Sequence, residues 1–217
     1  MSQDAAKLHE DDPTRLVERI DQLKNEIRRI QPHHLAANTG TTYHEESDTQ
    51  GFFNISVWGA PYKLTYPTLE VFNPDSISPL IFPNQALLFY YFFTADGFPP
   101  SDRWVSFTEL PDGMFYTQAF QSYTGKELAR IFQDDRLSFE AAAKVCGGKQ
   151  VEFGGVSYEF NLLPYISLLV VFWEGDEDFP STFQVLFNAS TNHYLPTDAC
   201  AIAGSMLTRR IINAYKI

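Results

Sequence analysis

The chain predicts an α+β fold: a single domain with an antiparallel sheet flanked by helices, preceded by an N-terminal amphipathic helix. Three observations predict it. Runs rich in aromatic and β-branched residues, FFNISVW (52–58) and YKLTYPTLEVF (62–72), follow one another through the turn signal Gly59-Ala60-Pro61, which is a hairpin pattern. The run NQALLFYYFFTA (84–95) has helical length and is apolar on every face, so it must be buried. Strand runs and helical runs are mixed without regular βα alternation, which points away from a parallel sheet.

The elements follow in chain order. Residues 1–12, MSQDAAKLHEDD, are polar and acidic; they read as a disordered start and not as a signal peptide. Residues 13–31 form the amphipathic helix, with Asp12 as N-cap and Pro13 at the first helical position. Leu16, Ile20, Leu23, Ile27 and Ile30 give it one apolar stripe, which must dock on the domain or on a second copy of the chain. Residues 32–50, with their TGTT and EES clusters, read as a linker or mobile loop before an α+β domain over 51–217. Pro67 splits the second strand run, because proline cannot donate to a central ladder.

Tyr90 and Tyr91, inside the buried helix, need partners for their hydroxyls. RWVSFTEL (103–110) reads as a strand, possible at a sheet edge, and residues 113–132 hold one or two helices. Ser138 is expected to cap a short helix that Gly147-Gly148 closes. Residues 150–162 form a hairpin around Gly154-Gly155, and 163–173 with 182–189 form an antiparallel pair. Thr197 is expected to cap the last helix, with Asp198 in its first turn and Arg209, Arg210 and Lys216 in its last.

Composition narrows the function classes. The formal charge is −11, which leaves no basic face for nucleic acid and disfavours an anionic membrane surface. The longest apolar run, YISLLVVFW (165–173), is too short to span a bilayer, so a cytoplasmic chain is the expectation. Cys146 and Cys200 are too few for a cysteine-only metal site and match no CxxC spacing, so the sequence implies no cofactor and names no metal. Aromatic residues make up 15% of the chain, enough for a large core, a ligand cleft or both.

Chemistry-bearing residues concentrate in WEGDEDFPSTFQVLFNASTNHYLPTD (173–198). Glu174, Asp176, Glu177 and Asp178 fall close together and offer hard oxygen ligands, but without the calcium-loop pattern; a solvated turn is the simpler reading. His193, next to Tyr194 and near Asp198, could join an acid in a proton relay, or serve only as a structural histidine. Trp104 and Tyr116 could complete the face with aromatic surface. Walker, GxGxxG and GxSxG patterns are absent from the sequence.

ALLFYYFFTADGFPPSDRWVSFTELPDGMFY (86–116) and LPYISLLVVFWEGDEDFPSTFQVLFNASTNHYLPTD (163–198) carry four ordered blocks: TADG, WVSFTELPDGMFY, GDEDFP and HYLPTD. In these the chain resembles the uncharacterised family known as domain of unknown function 3786, over roughly residues 50 to 212. Members resemble anaerobe-type proteins, and some are joined to a cysteine-rich, iron–sulfur-type module. The resemblance therefore hints at redox or corrinoid-related metabolism. This chain has no cysteine cluster, and the family supplies no catalytic residues to carry over.

The expectation is a non-enzymatic binding or accessory module for a small ligand or a redox- or cofactor-handling partner. Its face would hold Trp104, Tyr116, Glu174, Asp176, Asp178, His193, Tyr194 and Asp198. One alternative is an enzyme with a carboxylate–histidine site, metal-assisted or not, within residues 174–198. Another is a helix-mediated interaction protein, homodimeric through residues 13–30.

Overall fold

A computed structural model describes residues 13–76 and 80–216, without the side chains of 13–16. Residues 1–12, read as disordered, lie outside the described residues, as do the Asp12 cap and the Leu16 side chain.

The centre of the molecule is α3 (Phe82–Thr94), the helix expected to be buried. Leu87, Leu88, Phe89 and Tyr91 are each 0% exposed, so no side of the helix reaches water along that stretch. Other elements wrap it. α1 (Pro13–Ile27) lies along it and buries Ile20, Leu23 and Ile27, while α2 (Pro32–Thr39) buries Leu35. Ile20, Leu23 and Ile27 of the α1 stripe thus pack inside the chain. Its C-terminal end is tied down as well. The Tyr66 hydroxyl donates to the carbonyls of Arg28 (3.0 Å) and Ile30 (2.9 Å), and Arg28 Nε donates to the Pro67 carbonyl at 2.9 Å.

The strands form two antiparallel sheets. The first has four strands in the order β1 (Thr42–Ser47), β2 (Gln50–Val57), β3 (Ala60–Tyr66) and β4 (Val71–Phe72). β2 alternates strictly, so Phe53, Ile55 and Val57 face the core while Asn54 and Ser56 face water. Residues 32–50 are therefore not a linker: they supply α2 and edge strand β1. Their polarity misleads because β1 is exposed along its whole length apart from Tyr43, and α2 buries only Leu35 and Thr39.

The second sheet runs β5 (Trp104–Ser106), β9 (Thr182–Asn188), β8 (Ile166–Trp173), β7 (Val156–Leu163) and β6 (Lys149–Val151). β5 is an edge strand, and its run continues into a short 3-10 turn at Phe107–Glu109, where the Glu109 carboxylate accepts from Ser106 N at 2.8 Å. The 150–162 hairpin turns at Gly154-Gly155. Gly155 has φ +49, and a Cβ there would collide with the Phe172 carbonyl, so the turn requires glycine. The two sheets meet where Trp58 N donates to the Leu162 carbonyl at 2.9 Å.

Helices α4 (Thr117–Tyr123), α5 (Gly125–Phe132), α6 (Arg136–Val145) and α7 (Thr197–Tyr215) cover one face of the second sheet. Phe139 packs on Phe172 and Phe183, and Phe107 and Phe120 pack on Phe187. Two caps differ from expectation. Asp135, not Ser138, caps α6, accepting from Ser138 N (3.0 Å) and Ser138 Oγ (2.6 Å). Pro196 occupies the cap position of α7, which leaves the Thr197 hydroxyl free to donate to the Pro111 carbonyl at 2.5 Å. α7 runs on to Tyr215, so Arg209 and Arg210 lie before its last turn.

Among the described residues no helix is long and apolar enough to cross a membrane. Two substitutions test this packing. Leu23→Ala should cost about 2–5 kcal/mol in denaturant unfolding, because it opens a cavity under α1; a cost within error would mean that α1 is an appendage. Tyr91→Phe should cost about 1–3 kcal/mol, because the hydroxyl donates to the Thr39 carbonyl (2.7 Å) and accepts from Tyr165 N (3.2 Å).

Candidate functional site

A cleft of about 700 Å³ opens between α7 and the segment that carries the 107–109 turn and α4. This volume is typical of a small-molecule site. Its wall is mainly apolar: Phe107, Tyr116, Tyr123, Ala119, Leu195 and Ala201. Its polar groups are few, chiefly Asp112, Asn192, Asp198, Ser205 and Arg209.

The sequence explains why a cleft forms here. The Thr197–Pro111 hydrogen bond pins the start of α7 to the 107–113 segment. Further along, the Phe120 ring presses on α7 at Gly204, where a Cβ would stand 2.6 Å from a ring carbon, so only glycine allows this approach. Phe120 stacks on Phe107 with centroids 4.2 Å apart, which fixes the floor. Between the two anchor points α7 presents Ala201, and just past the second it presents Ser205, side chains too small to fill the gap.

Asp198 sits at one end of the cleft. Burial raises its pKa above the ordinary carboxylate range, against the backbone hydrogen bond from Ala199 N (2.8 Å) and the charge of Arg19, which both lower it. Ser205 is only 5% exposed, lines the cleft, and has no hydrogen-bond partner among the described residues. Burial pushes the Tyr123 phenol up to about 12, so it is a neutral donor at physiological pH.

Of the residues expected to form one face, Tyr116 and Asp198 line this cleft. The others are dispersed. The acidic loop and His193 occupy opposite ends of the β8–β9 hairpin, separated by about 20 Å of strand. The loop is a solvated turn: Asp176 Oδ1 accepts from Asp178 N (2.9 Å) and Phe179 N (2.8 Å). Glu174 and Asp178 are exposed, and Glu174 stands 3.5 Å from Arg136. Among the described residues no group of three His, Cys, Asp or Glu could hold a metal ion. Trp104 faces the opposite side of the second sheet, against Leu169, Val171 and Leu186.

His193 pairs with neither Asp198 nor the acidic loop. Its Nδ1 lies 2.7 Å from Asp96 Oδ2, and its ring stacks on Phe98 at 3.9 Å. The His193 hydrogen bond, the largest influence, holds the Asp96 carboxyl below its ordinary pKa. Tyr194 is fully buried, donates to the Phe98 carbonyl, and has its phenol pushed up to about 12 by burial. With Ser190 Oγ accepting from Ser101 N at 3.1 Å, these contacts clasp the loop after α3 onto the entry to α7. Thr94 and Asn192, beside the clasp in sequence, line the cleft.

Sequence reasoning missed Asp96, Ser205 and Arg209. Asp96 meets His193 across 97 positions, a distance that no local pattern reports. Ser205 and Arg209 did carry a signal: with Asp198 and Ala201 they recur at spacings of three, four and four, which places them on one face of α7. The two cysteines are free; Cys146 is half-buried at the end of α6, and burial raises its thiol pKa, so it is a poor nucleophile.

An α+β domain of two antiparallel sheets, with a cleft beneath its last helix, is the class of protein that these features define. Within that class the chain belongs to the domain-of-unknown-function family DUF3786, whose model matches residues 31–210. No curated protein and no solved structure matches it.

A carboxyl held above its ordinary pKa favours the folded state only while protonated. That stability is full below the unfolded carboxylate pKa and is lost as pH rises through the raised value. Asp198→Asn is therefore expected to raise the thermal midpoint at pH 7 and to show no such gain in acid; a lower midpoint at pH 7 would show that the Asp198 charge is structural.

Proposed function

We propose that the chain is a non-enzymatic binding module for a small ligand, held in the cleft between α7 and the 107–123 segment. The observation that carries this reading is the cleft itself: about 700 Å³, apolar and aromatic in its body, with a few polar side chains at its edges. Two features support it further. The Asp198 carboxyl is kept in an environment that disfavours its charge, a cost typical of functional positions. The segments that shape the cleft are anchored by the buried Phe107–Phe120 stack and by the Thr197–Pro111 hydrogen bond, so the site is preformed. A redox- or cofactor-handling partner would use the same opening, with the ligand as what passes between them.

Anilinonaphthalene sulfonate, a flat apolar fluorophore, serves as a first probe. It should bind the folded chain at one site with a large rise in emission. Ala201→Trp, which places an indole in the cleft, should weaken that binding at least about tenfold while the unfolding transition stays cooperative. Equal binding by the wild type and the Trp variant would remove the cleft as the site.

A further inference from the structure

The polar groups of the cleft are not scattered. Asp198, Ala201, Ser205 and Arg209 lie along one face of α7 and all line the cleft. With about 1.5 Å of rise per residue, Ser205 stands about 10 Å along the helix from Asp198, and Arg209 about 16 Å. One end is acidic. Asp198 is joined there by Asp112, which follows the Pro111 carbonyl bonded to Thr197. The other end is basic and hydrogen-bonding: Ser205 and Arg209 are one turn apart, so their side chains are neighbours on the same face.

These groups are unspent. Among the described residues neither Ser205 nor Arg209 has a hydrogen-bond or ion-pair partner, and Ser205 is more than nine-tenths buried at the cleft wall. Among the described residues Asp112 and Asp198 take part in no ion pair; the charge that acts on Asp198 is that of Arg19 of α1, beside Tyr90 of α3. Between the two ends the wall is Ala201, Ala119, Tyr116 and Phe107, apolar and flat. Ser205 is buried as a residue and Arg209 is exposed at the rim, so a hydroxyl and a guanidinium that no other protein group holds are free to bind an acid group together. The desolvated carboxyl at the far end is satisfied by an amine.

We propose that the ligand is an elongated zwitterion: an amine at Asp198, an apolar body over Ala201 and Tyr116, and a carboxylate at Ser205 and Arg209. This rests on the cleft being a binding site and adds the class of molecule it takes. The charges of that molecule are set about 10–16 Å apart by the register of α7. An apolar peptide of three to five residues with free termini has this reach, at about 3.3–3.6 Å per extended residue.

The test uses three probes with one chain length: ω-aminodecanoic acid, decylamine and decanoate, each titrated calorimetrically into the full chain at pH 7. ω-Aminodecanoic acid should bind at least about tenfold more tightly than either singly charged analogue, since each charged end adds a charge-assisted hydrogen bond. Asp198→Asn should bring its affinity down to that of decanoate. Arg209→Gln should bring it down to that of decylamine, and Ser205→Ala should weaken both acids and leave decylamine unchanged. Equal affinities for the three probes, or a ranking that no variant alters, would overturn the zwitterion while leaving the cleft as a site. Failure of all three while anilinonaphthalene sulfonate binds would do the same. Failure of every probe, the fluorophore included, would remove the site and the ligand class together.

Discussion

A helix with no polar face has to be surrounded, and that constraint organises this molecule. From Ala86 to Phe92 every residue of α3 is buried, so other elements must close over it from all directions. α1 and α2 cover one side, Phe53 of β2 another, and α7 a third. The two tyrosines in this helix make the enclosure specific. The Tyr91 hydroxyl links the end of α2 to the β7–β8 turn, and Tyr90 meets Arg19 of α1. A burial this complete accepts only one arrangement of its neighbours, because each hydroxyl must find its partner as the apolar surface closes.

The cleft is a consequence of where α7 then stands. α7 touches α3, α4, α5 and α6 together, so its position is fixed from several sides. Its inner faces carry Ala203, Leu207 and Ile211 into the core. Its remaining face passes the 107–123 segment, held at one end by Thr197 and at the other by the close approach of Phe120 to Gly204. Small side chains between two rigid anchors leave a gap that the fold has no means of collapsing. The His193–Asp96 clasp holds the loop beside this opening and so adds to its definition without lining it.

Much of the fold was legible because its signals are local. The apolar run of α3, the alternation of β2 and the glycine turn of the β6–β7 hairpin each sit in a short window of sequence. Residues 32–50 were not legible, since a helix and an edge strand that bury little look like a linker in composition. A division into two sheets also left no mark, because the sheets meet where β2 approaches β7 and Trp58 N bonds the Leu162 carbonyl, a long-range approach that no local pattern reports. At the site, Tyr116 and Asp198 were readable as chemistry near a helix entry. The acidic loop drew attention by charge density, yet charge density is what a solvated turn also has, and the strand length between it and His193 decides against one site. Ser205 and Arg209 were hidden inside a helix that reads as core, where only the face periodicity separates a lining residue from a packed one.

The most direct measurement is native mass spectrometry of the chain isolated under gentle conditions from its own host. A single organic adduct at one per chain, released on acid denaturation, is what a preformed cleft with an acidic and a basic end predicts, and its fragmentation should yield both an amine and a carboxylate. A bare polypeptide mass, unchanged after incubation with a host small-molecule extract, would contradict the account.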